Sequence, residues 1–197
     1  MIEVFFDVSS PWTYLAFHRL QTFEQQIRDQ IVWKPILVGG VFNTVNPSVY
    51  ASREAPVPAK ARYMFKDLQD WAGLYGLKIK MPPTVFPVNS VKIMRACLVL
   101  EPSGKLVDFG NAAFEAYWSR DEDISRDGVI AGICAAANVD AAAVFTGIED
   151  PEIKAKLRAN TEDLIARGGF GSPTIFVDTH DMYFGNDRVE VAIRSLR

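Results

Sequence analysis

The sequence predicts an α/β fold in which a helical segment interrupts a small mixed sheet. Three observations carry that reading. Strand-like runs sit at both ends, near residues 2–6 and 174–184. Every regular pattern between about residues 60 and 166 is helical. A stretch of crossover length separates the first strand from a second one at 31–38. At 197 residues, 49% of them hydrophobic and 23% charged, the chain can bury a substantial core and is neither disordered nor fibrous.

The elements follow in order. Residues 2–6 form an apolar strand that runs into Ser9-Ser10-Pro11. Ser10 is an N-cap candidate, and Pro11 suits the first helical turn, where its missing N–H costs nothing. Helical periodicity then runs from residue 12 to about 28, and 31–38 reads as the second strand. Strand, crossover and strand make a right-handed unit with a parallel pair. Gly39-Gly40 breaks the pattern, and Asn46-Pro47, Pro56 and Pro58 keep the segment up to about Pro58 irregular.

Helices are expected from 59 to about 75 with Gly76 as the stop, from 91 to about 100 behind Asn89 or Ser90, and over 105–118, 125–138, 141–145 and 151–166. Met81-Pro82-Pro83 is a rigid connector between the first two. Strand character returns over 168–177, and a turn near 178–181 leads into Met182-Tyr183-Phe184 as a hairpin. Gly185-Asn186-Asp187-Arg188 opens a last helix through Ile193.

The order β-α-β, helical block, β-β-α is the thioredoxin-like arrangement, a four-stranded mixed sheet with helices inserted in its middle. Residues 1–40 and 167–197 form the thioredoxin-like domain, and 41–166 the loop and helical insertion. Two segments far apart in sequence share that sheet. The Ser10 corner and the Ser172-Pro173 corner are therefore expected within reach of each other.

Composition excludes several functions. A net charge of −3 argues against bulk attraction to nucleic acid or to an anionic membrane. No apolar run approaches the roughly 20 residues that span a bilayer. Met1 leads directly into a strand without the pattern of a signal peptide, so a cytoplasmic location is expected. Cys97 and Cys134 are far apart, each inside an apolar helical pattern, and read as core thiols. They offer neither a C-x-x-C pair nor a zinc site, and no metal is expected. His18, alone in an apolar helix, reads as structural rather than as a base.

Ser10-Pro11 at a strand-to-helix corner would aim a hydroxyl and unpaired backbone N–H groups at one point, which favours an anion. Read alone, the same residues do no more than start a helix. The wider pattern carries more information. F-D-x-x-S-P-x-x-Y-L at the start, P-A-K-A-R-Y at 58–63, F-P-x-N-S at 86–90, F-G-S-P-T-x-F at 170–176 and G-N-D-R at 185–188 stand in this order. In these motifs, and over essentially its whole length, the chain resembles the 2-hydroxychromene-2-carboxylate isomerases. These group with the kappa-class glutathione transferases on the DsbA-like variant of the thioredoxin fold.

The resemblance implies a glutathione-dependent isomerase acting on a small aromatic carboxylate. A kappa-type transferase and a non-catalytic, thioredoxin-like peptide-binding protein are the alternatives. Ser10 stands where redox relatives carry a cysteine, so the thiol would come from glutathione and the Ser10 hydroxyl would donate to its sulfur. Pro173 is expected to be cis, leaving the Ser172 backbone to pair with the tripeptide by strand addition. Asn186 and Asp187 match positions at the γ-glutamyl end, and Lys60 a lysine near the ligand carboxylates. Read alone, Asp187 caps a helix and Lys60 is a solvated helix residue. The family's asparagine in the loop before Lys60 has no counterpart in Ala51-Ser52-Arg53-Glu54-Ala55-Pro56. The family is often dimeric, which carries a homodimer over as an expectation.

Overall fold

The computed structural model describes residues 1–196. One mixed sheet has the strand order β2-β1-β3-β4. β1 (Ile2–Phe6) pairs in parallel with β2 (Ile31–Pro35), Val4 lying opposite Trp33. On its other edge β1 pairs antiparallel with β3 (Thr174–Val177), Val4 lying opposite Ile175. β4 (Asp181–Phe184) joins β3 through the expected hairpin. The two ends of the sequence thus meet in the centre of the sheet, which is the thioredoxin-like arrangement.

The first helix, α1 (Pro11–Leu20), is shorter than its periodicity suggests, and α2 (Gln25–Arg28) follows as a separate turn. The break falls at Thr22, whose hydroxyl donates to the Arg19 carbonyl at 2.8 Å while its N–H bonds the same oxygen at 3.0 Å. A hydroxyl competing for the carbonyl of the preceding turn offers the backbone an alternative to the helical ladder.

A second correction concerns residues 36–58. The second strand stops at Pro35 instead of running to Val38. The stretch expected as loop holds α3 (Val38–Val45) and α4 (Ser48–Glu54), with Asn46-Pro47 as the break between them. Gly39-Gly40 sits inside the first turn of α3, where glycine propensity alone opposes a helix. Tertiary bonds fix that turn. The Val38 N–H donates to the Asp7 carboxylate at 2.9 Å, and the Leu37 N–H to Thr161 Oγ1 at 3.0 Å.

The remaining helices lie close to expectation. They are α5 (Pro58–Leu74), α6 (Val91–Leu100), α7 (Leu106–Phe114), α8 (Asp127–Ala136), α9 (Ala141–Gly147), α10 (Pro151–Ala166) and α11 (Val189–Arg194). Gly76 ends the α5 segment at φ +69°, a backbone conformation that glycine adopts without a Cβ penalty. α7 runs on into a π-helical turn, Glu115–Ser119, and a 3₁₀ turn, Asn186–Arg188, precedes α11.

The core explains why β1 is buried along its whole length. On one face Ile2 and Val4 pack with Ala16 and Leu20 of α1 and with Ala192 and Ile193 of α11. On the other, Phe5 meets Phe176 edge-on at 5.7 Å, above Ile36, Val41 and Leu164. α1 is the hinge between sheet and helical block. Phe17 contacts Phe6 at 5.3 Å and Phe114 at 5.1 Å, and Tyr14 stacks on Phe114 at 5.2 Å. No described helix is long and apolar enough to cross a membrane.

Cys97 and Cys134 are both buried and unpaired, as their apolar surroundings suggest. Burial pushes the Cys97 thiol far up, with Asp7 adding to the shift, and raises Cys134 more modestly. Because the thiolate is the reactive form, native protein is expected to react with a thiol reagent far more slowly than protein in denaturant, where both thiols titrate. Rapid labelling of the native chain would contradict this placement.

Candidate functional site

The strand-to-helix corner after β1 and the turn before β3 do come together. Ser10 has extended backbone angles (φ −104°, ψ 123°) and caps α1, its Oγ accepting the Thr13 N–H at 3.2 Å. The same hydroxyl donates to the Ser172 carbonyl at 3.0 Å, across 162 residues of sequence. Ser172 Oγ accepts the Asp7 N–H at 3.0 Å and shares a 2.8 Å bond with Thr13 Oγ1. The Ser172–Pro173 bond is cis. The Gly185 N–H donates to the Pro173 carbonyl at 3.1 Å, tying the third corner to the second.

Two expectations change here. The Ser10 proton does not point freely into solvent, because it is already engaged by Ser172. The Ser172 carbonyl, expected to be free, accepts that proton and keeps only its second lone pair for another donor. The Ser172 side chain is buried and structural. Threonine at position 13 and aspartate at position 7 support this corner; Asp7 stands in the F-D-x-x-S-P motif without a role assigned to it, and Thr13 falls at one of that motif's open positions.

Asp7 is the main support. It is 1% exposed and closes β1. Its two carboxylate oxygens accept the Ser9 and Val38 N–H groups, each at 2.9 Å. Burial holds the Asp7 carboxyl above the ordinary carboxylate range, and the bonds from Ser9, Val38 and Ser90 only partly offset it. One side chain thus joins the Ser10 loop to the start of α3. Trp118, fully buried, supports the loop from below, its Nε1 donating to the Val8 carbonyl at 2.8 Å. The signal for Asp7 was there to read, since it is an acid inside an otherwise apolar run, Val4-Phe5-Phe6-Asp7-Val8.

The 3₁₀ turn holding Asn186 and Asp187 packs against α1. Asn186 is 5% exposed, and its Nδ2 has no partner among the described residues. A buried amide donor without a partner is costly, about 1–3 kcal/mol, and calls for an explanation. Asp187 is exposed and makes no capping bond, so the helix-cap reading of it finds no support. Among the described residues its carboxylate forms an ion pair only with the neighbouring Arg188, at 3.5 Å. Gly185 precedes it at φ +101°, where a Cβ would come within 2.7 Å of Asp187 Oδ1.

Lys60 lies in the exposed first turn of α5 and forms no ion pair among the described residues. Ser10, Ser172 and Pro173 are joined directly and Asn186-Asp187 adjoin them, whereas Lys60 is not bonded into the group. His18 is half-buried beside Tyr75, ring centroids 6.3 Å apart, and two turns along α1 from Ser10. Burial, with Arg19 next to it, lowers its pKa, in keeping with a structural histidine. The described residues contain no cluster of His, Cys, Asp and Glu that could hold a metal ion.

Comparison with known proteins agrees with the fold. Residues 1–196 match the family model of the DSBA-like thioredoxin domain. Glutathione S-transferase kappa 1 of Rattus norvegicus is 26% identical over 204 residues, covering 97% of this chain and 88% of the rat protein. A 2-hydroxychromene-2-carboxylate isomerase of Pseudomonas sp. (strain C18) is 29% identical over 192 residues, covering 96% and 86%. A solved 2-hydroxychromene-2-carboxylate isomerase superposes with a TM-score of 0.77 at 24% identity, over 96% of this chain and 91% of the other, a likeness of fold.

Proposed function

Because the chain belongs to the DsbA-like thioredoxin family yet carries Ser10 at its strand-to-helix corner, we propose that it is a glutathione-dependent isomerase of aromatic carboxylates, of the 2-hydroxychromene-2-carboxylate type. The observation that carries this reading is the Ser10–Ser172 pair at the start of α1, with both cysteines of the chain buried elsewhere. Such a corner can bind and activate a thiol but cannot supply one. The kappa-class glutathione transferase relatives support a borrowed thiol.

The chemistry follows from what the corner offers. Lowering a bound thiol's pKa from about 8.5 to about 6.5 takes roughly 2.7 kcal/mol. The α1 N-terminus contributes up to about 2 kcal/mol. Ser10 adds a charge-assisted bond worth about 1.5–3 kcal/mol, but only by leaving the Ser172 carbonyl, which gives back about 0.5–1.5. Together they reach the requirement. The thiolate adds to the conjugated carbon of the substrate, the hemiketal ring opens, and the former double bond turns as a single bond. Expulsion of the same thiolate restores the double bond in the trans product, so glutathione is regenerated as a covalent catalyst. A cytosolic setting, where thiols stay reduced, suits this reading.

Calorimetry with glutathione, followed by turnover of a chromene carboxylate, tests it. Binding with turnover and no loss of glutathione is expected. Glutathione consumed in step with product would make the protein a transferase, and no binding would leave a thioredoxin-like peptide binder. Within this reading the tripeptide's ammonium faces the Asp187 carboxylate. Asp187→Ala is then expected to weaken glutathione binding by about 1–3 kcal/mol. Turnover at saturating glutathione should change little, since the contact is remote from sulfur. Unchanged affinity would remove Asp187 from the site.

A further inference from the structure

Arg53 is the one residue of the Ala51–Pro56 stretch whose surroundings suggest a ligand. Its guanidinium lies over the Phe42 ring at 5.7 Å and over the Phe86 ring at 5.3 Å. It makes no ion pair among the described residues. The side chain is exposed, two rings border the guanidinium, and its N–H groups have no hydrogen-bond partner among the described residues. A guanidinium edge fits a carboxylate bidentately, a planar demand that lysine does not meet.

The segments that carry the two rings are held by three tethers. α3, which carries Phe42, begins at the Asp7 carboxylate. It ends at Asn46, whose side chain donates to the Phe170 carbonyl beside the Ser172 turn at 3.2 Å. On the other side, Phe86 follows Val85, whose carbonyl accepts the Tyr117 hydroxyl at 2.8 Å. The sheet order β2-β1-β3-β4 then separates two flanks of the Ser10 corner. α3 and then α4, which carries Arg53, follow β2 on one flank, and Asn186-Asp187 follow β4 on the other.

We infer that Arg53, set between Phe42 and Phe86, anchors the carboxylate of the aromatic co-substrate and makes this site selective for aromatic acids over their neutral analogues. The substrate class rests on the function proposed above, while the anion site itself rests on Arg53 and its two rings. Phe86 and Val85 are both more than a third exposed, so the cation is bordered by apolar surface. An aromatic acid satisfies ring and charge together. The glycine end of glutathione offers the charge alone.

The test uses trans-2-hydroxycinnamate and its methyl ester as probes, titrated by calorimetry into wild type, Arg53→Met and Arg53→Lys, each with and without glutathione. Wild type is expected to bind the acid at least tenfold more tightly than the ester. Arg53→Met should lose that preference with ester and glutathione affinities unchanged, and Arg53→Lys should retain only part of it. No acid preference in wild type, or one that survives Arg53→Met, overturns the inference. So does a fall in glutathione affinity in Arg53→Met, which would assign Arg53 to the tripeptide. Failure of wild type to bind glutathione while the acid preference holds would instead count against the proposed function alone.

Discussion

Trp118→Phe is expected to lower the unfolding free energy by about 2–4 kcal/mol, the largest single effect anticipated for a change of one aromatic ring to another here. Trp118 is fully buried, and its Nε1 is the donor to the Val8 carbonyl. Phenylalanine has no N–H, so that carbonyl stays buried without this partner, at about 1–3 kcal/mol. The smaller ring also leaves a cavity, because close-packed surroundings relax only partly. Denaturant titration should show a lower midpoint at unchanged slope. The effect should also reach function, since Val8 lies two residues before Ser10 and its loop would lose a fixed point. A loss below about 1 kcal/mol would mean that the indole bond does little to hold the corner.

Asp7→Asn is expected to give the second largest effect, and one that depends on pH. Burial raises the folded pKa of Asp7 above its ordinary value of 3.8. The folded chain therefore holds the proton to higher pH than the unfolded chain does. The stability this contributes is full below the unfolded pKa and is lost as pH rises through the folded one. Asparagine cannot ionise, and its NH₂ must face one of the two N–H donors, from Ser9 or Val38, that the carboxyl oxygens now accept. The variant should be less stable by about 1–3 kcal/mol at acid pH. The deficit should narrow as pH rises and wild type forfeits its protonated form. A deficit that grows with pH would show instead that the carboxylate is ionised and stabilised by its donors.

How much of this could be read in the sequence depends on the range of the interactions involved. The strand-to-helix corner at Ser10 and the hairpin before Gly185 are local patterns, and both stand in the structure as expected. So does α10, over the residues its periodicity predicts, 151–166, and the structure adds an Asp150 cap. The convergence of Ser10 with Ser172 followed from element order, because the thioredoxin-like arrangement admits few other placements. Long-range bonds escaped the sequence. α3 forms across Gly39-Gly40 because Asp7 and Thr161 satisfy its first N–H groups, and those partners are 31 and 124 residues away. The Ser10 proton was expected to be free because the Ser172 carbonyl that takes it cannot be seen from either motif alone. Arg53 had no role in the sequence beyond membership of the Ala51–Pro56 stretch that lacks an asparagine, since the two rings near it come from separate segments.

The central claim is that Ser10 trades its bond to Ser172 for one to a bound glutathione thiolate. The most direct measurement is the pH dependence of thiolate absorbance in the glutathione complexes of wild type and Ser10→Ala, with folding of the variant checked separately because an N-cap is lost. The net value of the exchange is about 1–1.5 kcal/mol, so the bound thiol of Ser10→Ala should titrate about one unit higher than that of wild type. The rate at neutral pH should fall about tenfold and partly recover as pH rises. If both complexes titrate at the same pH, Ser10 does no more than start a helix, and the thiol activation assigned to it is wrong.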